Sequence, residues 1–194
     1  VDARLQTLKE MQRQIKSLKG VAAEIFPQAP VVSAEESPAL RAYGFGVGRV
    51  ERGGEEIPPE DWGATTARYL LFYMLIHGAG TREQISEAFW PDLTPQKSKA
   101  AFHTTKFRLH QAVGQDIIDY DGQVYAIISE ASIWFDVAAF RDHLRAWRRN
   151  QDIEHLAAAA ELYTDDFLTG CYTDWCGSER EALRTTSLEA LETL

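Results

Sequence analysis

The chain has 194 residues, 45% of them hydrophobic and 25% charged, with a formal net charge of -9. That is enough apolar material to build a core of one large domain or two small ones, and it excludes a disordered tail. It also excludes a nucleic-acid binder that works by bulk positive charge, a disulfide scaffold (there are two cysteines) and a membrane span, since apolar runs such as 69–76 are too short.

Taken in chain order, the sequence opens on Val1 rather than Met, as a piece of a longer protein does. No basic stretch precedes an apolar run as a secretory signal requires, so the expectation is a reduced, cytoplasmic protein. Residues 2–26 read as a helix. Leu8, Ile15 and Ala22 fall seven apart, and Met11, Leu18 and Ile25 follow each by three. Such an a/d seam fits a short coiled coil or a helix docked on its own chain. Pro27, Pro30, Ser33, Ser37 and Pro38 mark a linker.

Residues 40–57 read as strands around a Gly53-Gly54 turn. Gly44, Gly46 and Gly48 do not make a dinucleotide loop. Arg49 stands where the third glycine is needed, and another strand follows instead of a helix. Close packing or bulges explain them better. A helix over 64–77 follows, with Leu70, Leu71, Met74 and Leu75 on its apolar side and Gly78 as its stop. Thr81-Arg82-Glu83-Gln84 resembles a capping box for a second helix, which buries Ile85, Phe89 and Trp90 and ends at Pro91. Thr94-Pro95 starts a third helix that runs through Phe102 and Leu109 to Gly114. Ile117–Tyr120, Asp121-Gly122 and Val124–Ile128 then make the strongest hairpin signal in the chain. Small sheet, three helices and hairpin together describe a winged helix-turn-helix. After it, 137–149, 153–163 and 179–194 read as amphipathic helices, stacked in pairs.

These residues resemble a known family. Ala67–Leu75, Thr81–Ile85, Phe89-Trp90-Pro91-Asp92 and Phe102–Leu109 are similar to the OmpR-type winged helix of SARP-class bacterial transcriptional activators. Trp134-Phe135-Asp136 with Phe140, Tyr163–Leu168, Trp175 and Glu179-Arg180-Glu181 are similar to the opening of the bacterial transcriptional activation domain. The resemblance covers about residues 40–194. It implies a mainly α fold with small β elements: an OmpR-type winged helix over 40–130, then tetratricopeptide-like helices over 131–194, with residues 1–39 as a separate helix and linker. The partners it implies are double-stranded DNA, bound in the major groove as direct repeats, and RNA polymerase or further regulatory domains of the same longer chain. No cofactor is implied.

The charge distribution picks out the third helix. Residues 1–39 are net neutral, 40–128 carry -2 and 129–194 carry -7, yet no acid occurs between Asp92 and Asp116. That window holds Lys97, Lys99, His103, Lys106, Arg108 and His110. A helix fits the major groove, so this basic island is the candidate DNA surface. Arg108 suits a guanine edge or a phosphate, and Lys97 and Lys99 sit near the helix start, where backbone N–H groups also favour phosphate. The resemblance places DNA-contacting residues at Thr105, Arg108 and His110. Phe102 and Leu109 should face the core, with His103, Phe107 and His110 opposite and Thr104, Thr105 and Arg108 on the flanks.

Three features depart from the family pattern. Phe107 stands where Arg is frequent, Lys106 where an apolar residue is usual, and the wing tip Asp119-Tyr120-Asp121-Gly122 is acidic where related wings carry Arg or Lys. Two functions therefore remain open: a DNA-binding transcriptional regulator, or a protein-interaction module on a winged-helix scaffold. Cys171 and Cys176 lack the spacing and the histidines of a zinc site and read as buried thiols. No catalytic constellation appears, so an enzyme is not expected.

Overall fold

The computed structural model describes residues 39–191; the expected helix over 2–26 and its linker lie outside them. The chain forms β1 (Leu40–Tyr43), β2 (Arg49–Arg52), β3 (Glu55–Glu56), a 3-10 turn (Pro59–Trp62), α1 (Thr65–His77), β4 (Ala79–Gly80), α2 (Arg82–Phe89) and α3 (Pro95–Val113). The wing strands β5 (Ile118–Tyr120) and β6 (Tyr125–Ile127) follow, then β7 (Ile133–Phe135), α4 (Asp136–Asn150), α5 (Ile153–Leu162) and α6 (Asp174–Leu191). The described residues are mostly helical with two small sheets.

Local chemistry sets most of these boundaries. Gly53 and Gly54, with φ of 60° and 88°, make the two-residue turn of the β2–β3 hairpin. The capping box of α2 is complete. Thr81 Oγ1 accepts from the Gln84 N–H at 3.2 Å, and Gln84 Oε1 accepts from the Thr81 N–H at 2.8 Å. Pro95 opens α3 and Gly114, at φ 77°, closes it. In the wing, Ile118 pairs with Ile127 and Tyr120 with Tyr125, and β4 adds a third strand on the far side of β6.

The first sheet has the order β3-β2-β1-β7. β7 runs parallel to β1, with Leu40 opposite Ile133 and Ala42 opposite Phe135. A strand that follows residue 130 thus completes the sheet begun by residues 40–56. One hydrophobic core runs from Leu40 through α1 and α3 to Phe140, Phe167 and Leu183.

The β1–β2 loop locks this arrangement. Gly46 donates to the Asp166 carbonyl at 2.9 Å, Leu168 donates to Gly44 at 2.9 Å, and Thr169 donates to Gly46 at 2.8 Å. The Asp136 carboxylate, 3% exposed, accepts from the N–H groups of Gly44, Phe45 and Val137 at 2.7, 3.1 and 2.7 Å. Burial pushes its pKa up to about 6, against the pull of those three donors. A Cβ on Gly44 would meet the Phe167 ring at 2.8 Å, and one on Gly48 would meet the Leu168 side chain at 2.5 Å. Close packing is therefore the role of these two glycines.

Helix α6 starts at Asp174, five residues before the expected 179. The Thr173 carbonyl accepts from the N–H groups of Cys176 and Gly177, and this first turn buries Cys176 in the core. Burial outweighs the low helix propensity of Gly177. Arg180 then donates to the carbonyls of Phe167, Leu168 and Cys171, and Arg184 pairs with Asp166. Cys171 and Cys176 are both buried free thiols.

Candidate nucleic-acid interface

Helix α3 is 19 residues long and exposes one side. Phe102 and Leu109 are fully buried, as expected. Lys97, Lys99, His103 and Arg108 stand in water on the outer side. Among the described residues none of these four forms an ion pair with a carboxylate. The stem of Arg108 lies along the turn at Gly63, whose hypothetical Cβ would sit 3.5 Å from Arg108 Cδ. Partial burial, then Lys99 and Lys106, hold the His103 ring below its ordinary pKa, so it is uncharged at neutral pH.

The other three expected residues face elsewhere. Thr105 is 6% exposed and His110 8% exposed, so neither is on the outer side. His110 joins the helix to the wing instead. Its Nε2 accepts from the Ile118 N–H at 3.2 Å, and its Nδ1 lies 2.6 Å from the carboxylate of Asp116. Burial lowers the His110 pKa, and Asp116 opposes that shift. The neutral ring is the form that offers one acceptor and one donor, which both contacts need. Lys106 is half-buried. Its Nζ donates to the Ile118 carbonyl at 3.2 Å and lies 5.6 Å from the centroid of the Tyr125 ring. The long stem covers apolar surface, which is how lysine replaces an apolar residue here.

The reason is geometric. The wing covers a second stripe of α3 beside the one that packs on α1. Polar residues fill part of that stripe, so no apolar periodicity announces it. Conversely, the outer side includes Gln96, Ala100, Thr104, Phe107 and Gln111, which charge alone did not select. Phe107 is 63% exposed. Arg52 fastens the other end of the helix by donating to the Ala112 carbonyl at 2.9 Å.

The wing tip is acidic in space as in sequence. Asp119 and Asp121 are both exposed. Asp121 Oδ1 accepts from the N–H groups of Gln123 and Val124 at 2.8 and 2.9 Å, which holds its carboxyl below the usual range. Among the described residues, no helix is long and apolar enough to cross a membrane, and no group of three or more His, Cys, Asp or Glu could hold a metal ion.

No protein-family model matches the chain, and no curated protein matches it. Among solved structures, the chain is similar to Mycobacterium tuberculosis EmbR, determined in complex with a low-affinity phosphopeptide, with a TM-score of 0.62 and 19% sequence identity. The match covers 79% of this chain and 44% of that one, so the chain spans less than half the length of its neighbour. What the chain shares with EmbR, at that identity, is the fold: a winged helix followed by a helical tail.

Proposed function

We propose that the chain is the DNA-binding part of a SARP-class transcriptional regulator. In this reading α3 lies in the major groove of direct-repeat DNA, and the tetratricopeptide-like tail contacts RNA polymerase or further regulatory domains of a longer, cytoplasmic protein. It works by binding and not by catalysis. The observation that carries this reading is the outer side of α3. Lys97, Lys99 and Arg108 project there from a helix that has no carboxylate, in a chain of net charge -9. Phosphate contacts supply affinity, and side chains on the exposed ridge supply readout.

The test is an anisotropy titration against duplex DNA carrying tandem repeats, at low and moderate salt. Neutralising about four to six phosphates gives a log–log salt slope of about -4 to -5. No binding at low salt overturns the reading. One observation favours a second: the exposed carboxylates Asp119 and Asp121 on the wing repel a phosphate backbone. That second reading is a protein-interaction module on the same scaffold. Replacing both by Asn (Asp119→Asn with Asp121→Asn) separates the two. If the wing approaches DNA, the double variant binds several-fold tighter at low salt; if neither protein binds, the interaction module stands.

A further inference from the structure

The outer side of α3 carries more than charge. Gln96, Ala100, Thr104, Phe107 and Gln111 follow one another at spacings of three and four, with His103 beside Thr104, and all six are exposed. Phe107 sits among them with 63% of its surface in water. The fold does not use this ring, because the buried side of α3 is filled by Phe102, Thr105, Leu109, Ala112 and Val113. Nor can a phenyl ring hold a phosphate, since it has no donor. Burial of Phe102 and Leu109 on one side of α3 turns Phe107 to the other, while the adjacent Lys106 is tied to Ile118 and Tyr125 of the wing.

We propose that Phe107 is a base-reading side chain that packs its ring against the 5-methyl group of a thymine in the major groove. This rests on the DNA-binding reading above. The chemistry of the groove leaves one partner. The base edges there present hydrogen-bond donors and acceptors, which a phenyl ring cannot match, and one apolar feature, the thymine methyl. The neighbours on the ridge agree in type. Glutamine suits adenine, Ala100 and the Thr104 methyl are apolar, and the ridge has no carboxylate to accept from the cytosine amino group. The site is therefore selective for an A·T pair at the base pair that Phe107 faces.

The test starts from duplexes selected by the chain out of a random pool at low salt. Each thymine of the selected site is then replaced, one at a time, by deoxyuridine, which lacks the methyl and nothing else. Anisotropy is expected to show one position per repeat at which this replacement weakens binding about fourfold, the effect of one buried methyl group. In Phe107→Ala that preference disappears, and thymine and deoxyuridine duplexes bind alike; in Phe107→Leu part of it remains. Equal affinity of the unaltered chain for thymine and deoxyuridine at every position overturns the inference, as does a preference that survives in Phe107→Ala. Should the alanine variant misfold, the deoxyuridine series on the unaltered chain still decides, because it changes only the DNA. A pool from which nothing is enriched overturns the DNA-binding reading itself, and this inference with it.

Discussion

The junction around Asp136 and the outer side of α3 use charge in opposite ways. At the junction, Asp136 accepts from three backbone N–H groups, Arg180 donates to three backbone carbonyls, and Arg184 is paired with Asp166. On α3, Lys97, Lys99 and Arg108 stand in water. Buried charge that has lost water must be satisfied by the protein, so it is committed to the fold. Exposed charge contributes little to stability and stays available to a ligand. The same residue types therefore predict opposite consequences when removed.

The largest effect is expected at Asp136. Asp136→Ala leaves the Gly44, Phe45 and Val137 N–H groups buried without an acceptor and should lower stability by about 4 kcal/mol, read from urea denaturation. Asp136→Asn keeps one acceptor oxygen and should stay within about 1 kcal/mol of the unaltered chain at pH 7. The two differ in pH dependence as well. The folded Asp136 titrates at about 6 and its ordinary value is 3.8, so between those values the folded state binds more protons than the unfolded one. Stability from this group is fully present below pH 3.8 and is lost as pH rises through about 6. The loss approaches about 3 kcal/mol. Subtracting the Asn variant's stability–pH curve isolates it, because Asp121 and Asp166, whose pKa values are lowered, act with the opposite sign in both proteins. A flat difference curve would mean that the three N–H groups fully offset the burial of the charge.

Next comes the loop that Asp136 holds. Gly48 has φ of 80°, and a Cβ there would lie 2.5 Å from Leu168 and 3.1 Å from Phe72. Gly48→Ala combines backbone strain with overpacking and should lower stability by about 2–3 kcal/mol, visible as a reduced Tm. Gly46→Ala is the control. Gly46 shares the positive φ, yet nothing lies near its Cβ position, so it should lose only about 1 kcal/mol.

A smaller effect is expected where α3 meets the wing. His110→Ala removes the acceptor of the Ile118 N–H and should cost about 1–2 kcal/mol, with faster hydrogen exchange at that amide. Because burial lowers the His110 pKa, the unfolded chain takes up a proton first. Stability from this ring is present above its ordinary value of 6.5 and is lost as pH falls through the folded pKa. The wing should therefore loosen in acid, and Ile118 exchange reads that directly.

The smallest change in stability is expected on the outer side of α3. The triple variant Lys97→Ala, Lys99→Ala, Arg108→Ala should unfold within about 0.5 kcal/mol of the unaltered chain. On the DNA-binding reading, its log–log salt slope should fall in magnitude by about 3. A large loss of stability in this variant would break the comparison, since it would place these charges in the fold.

The sequence by itself determined the features that close within a few residues. The Thr81–Gln84 box, the Pro95 start and Gly114 stop of α3, and the Asp121-Gly122 turn each depend on hydrogen bonds or dihedrals among near neighbours. The order of elements, and with it the winged helix, followed from those signals. Pairings between distant residues stayed hidden. Nothing near Ile133 marks it as the partner of Leu40, and nothing near Asp136 shows that Gly44 and Phe45 will donate to it, because those contacts join segments some ninety residues apart. For α3, the seven-residue spacing of Phe102 and Leu109 located the stripe that packs on α1, while the stripe under the wing holds Lys106 and His110. A helix has one sequence but as many buried stripes as it has neighbours. When a neighbour is met by polar atoms that satisfy backbone groups, no apolar period records it, and only the packed wing decides that His110 belongs to the fold and Phe107 to the solvent.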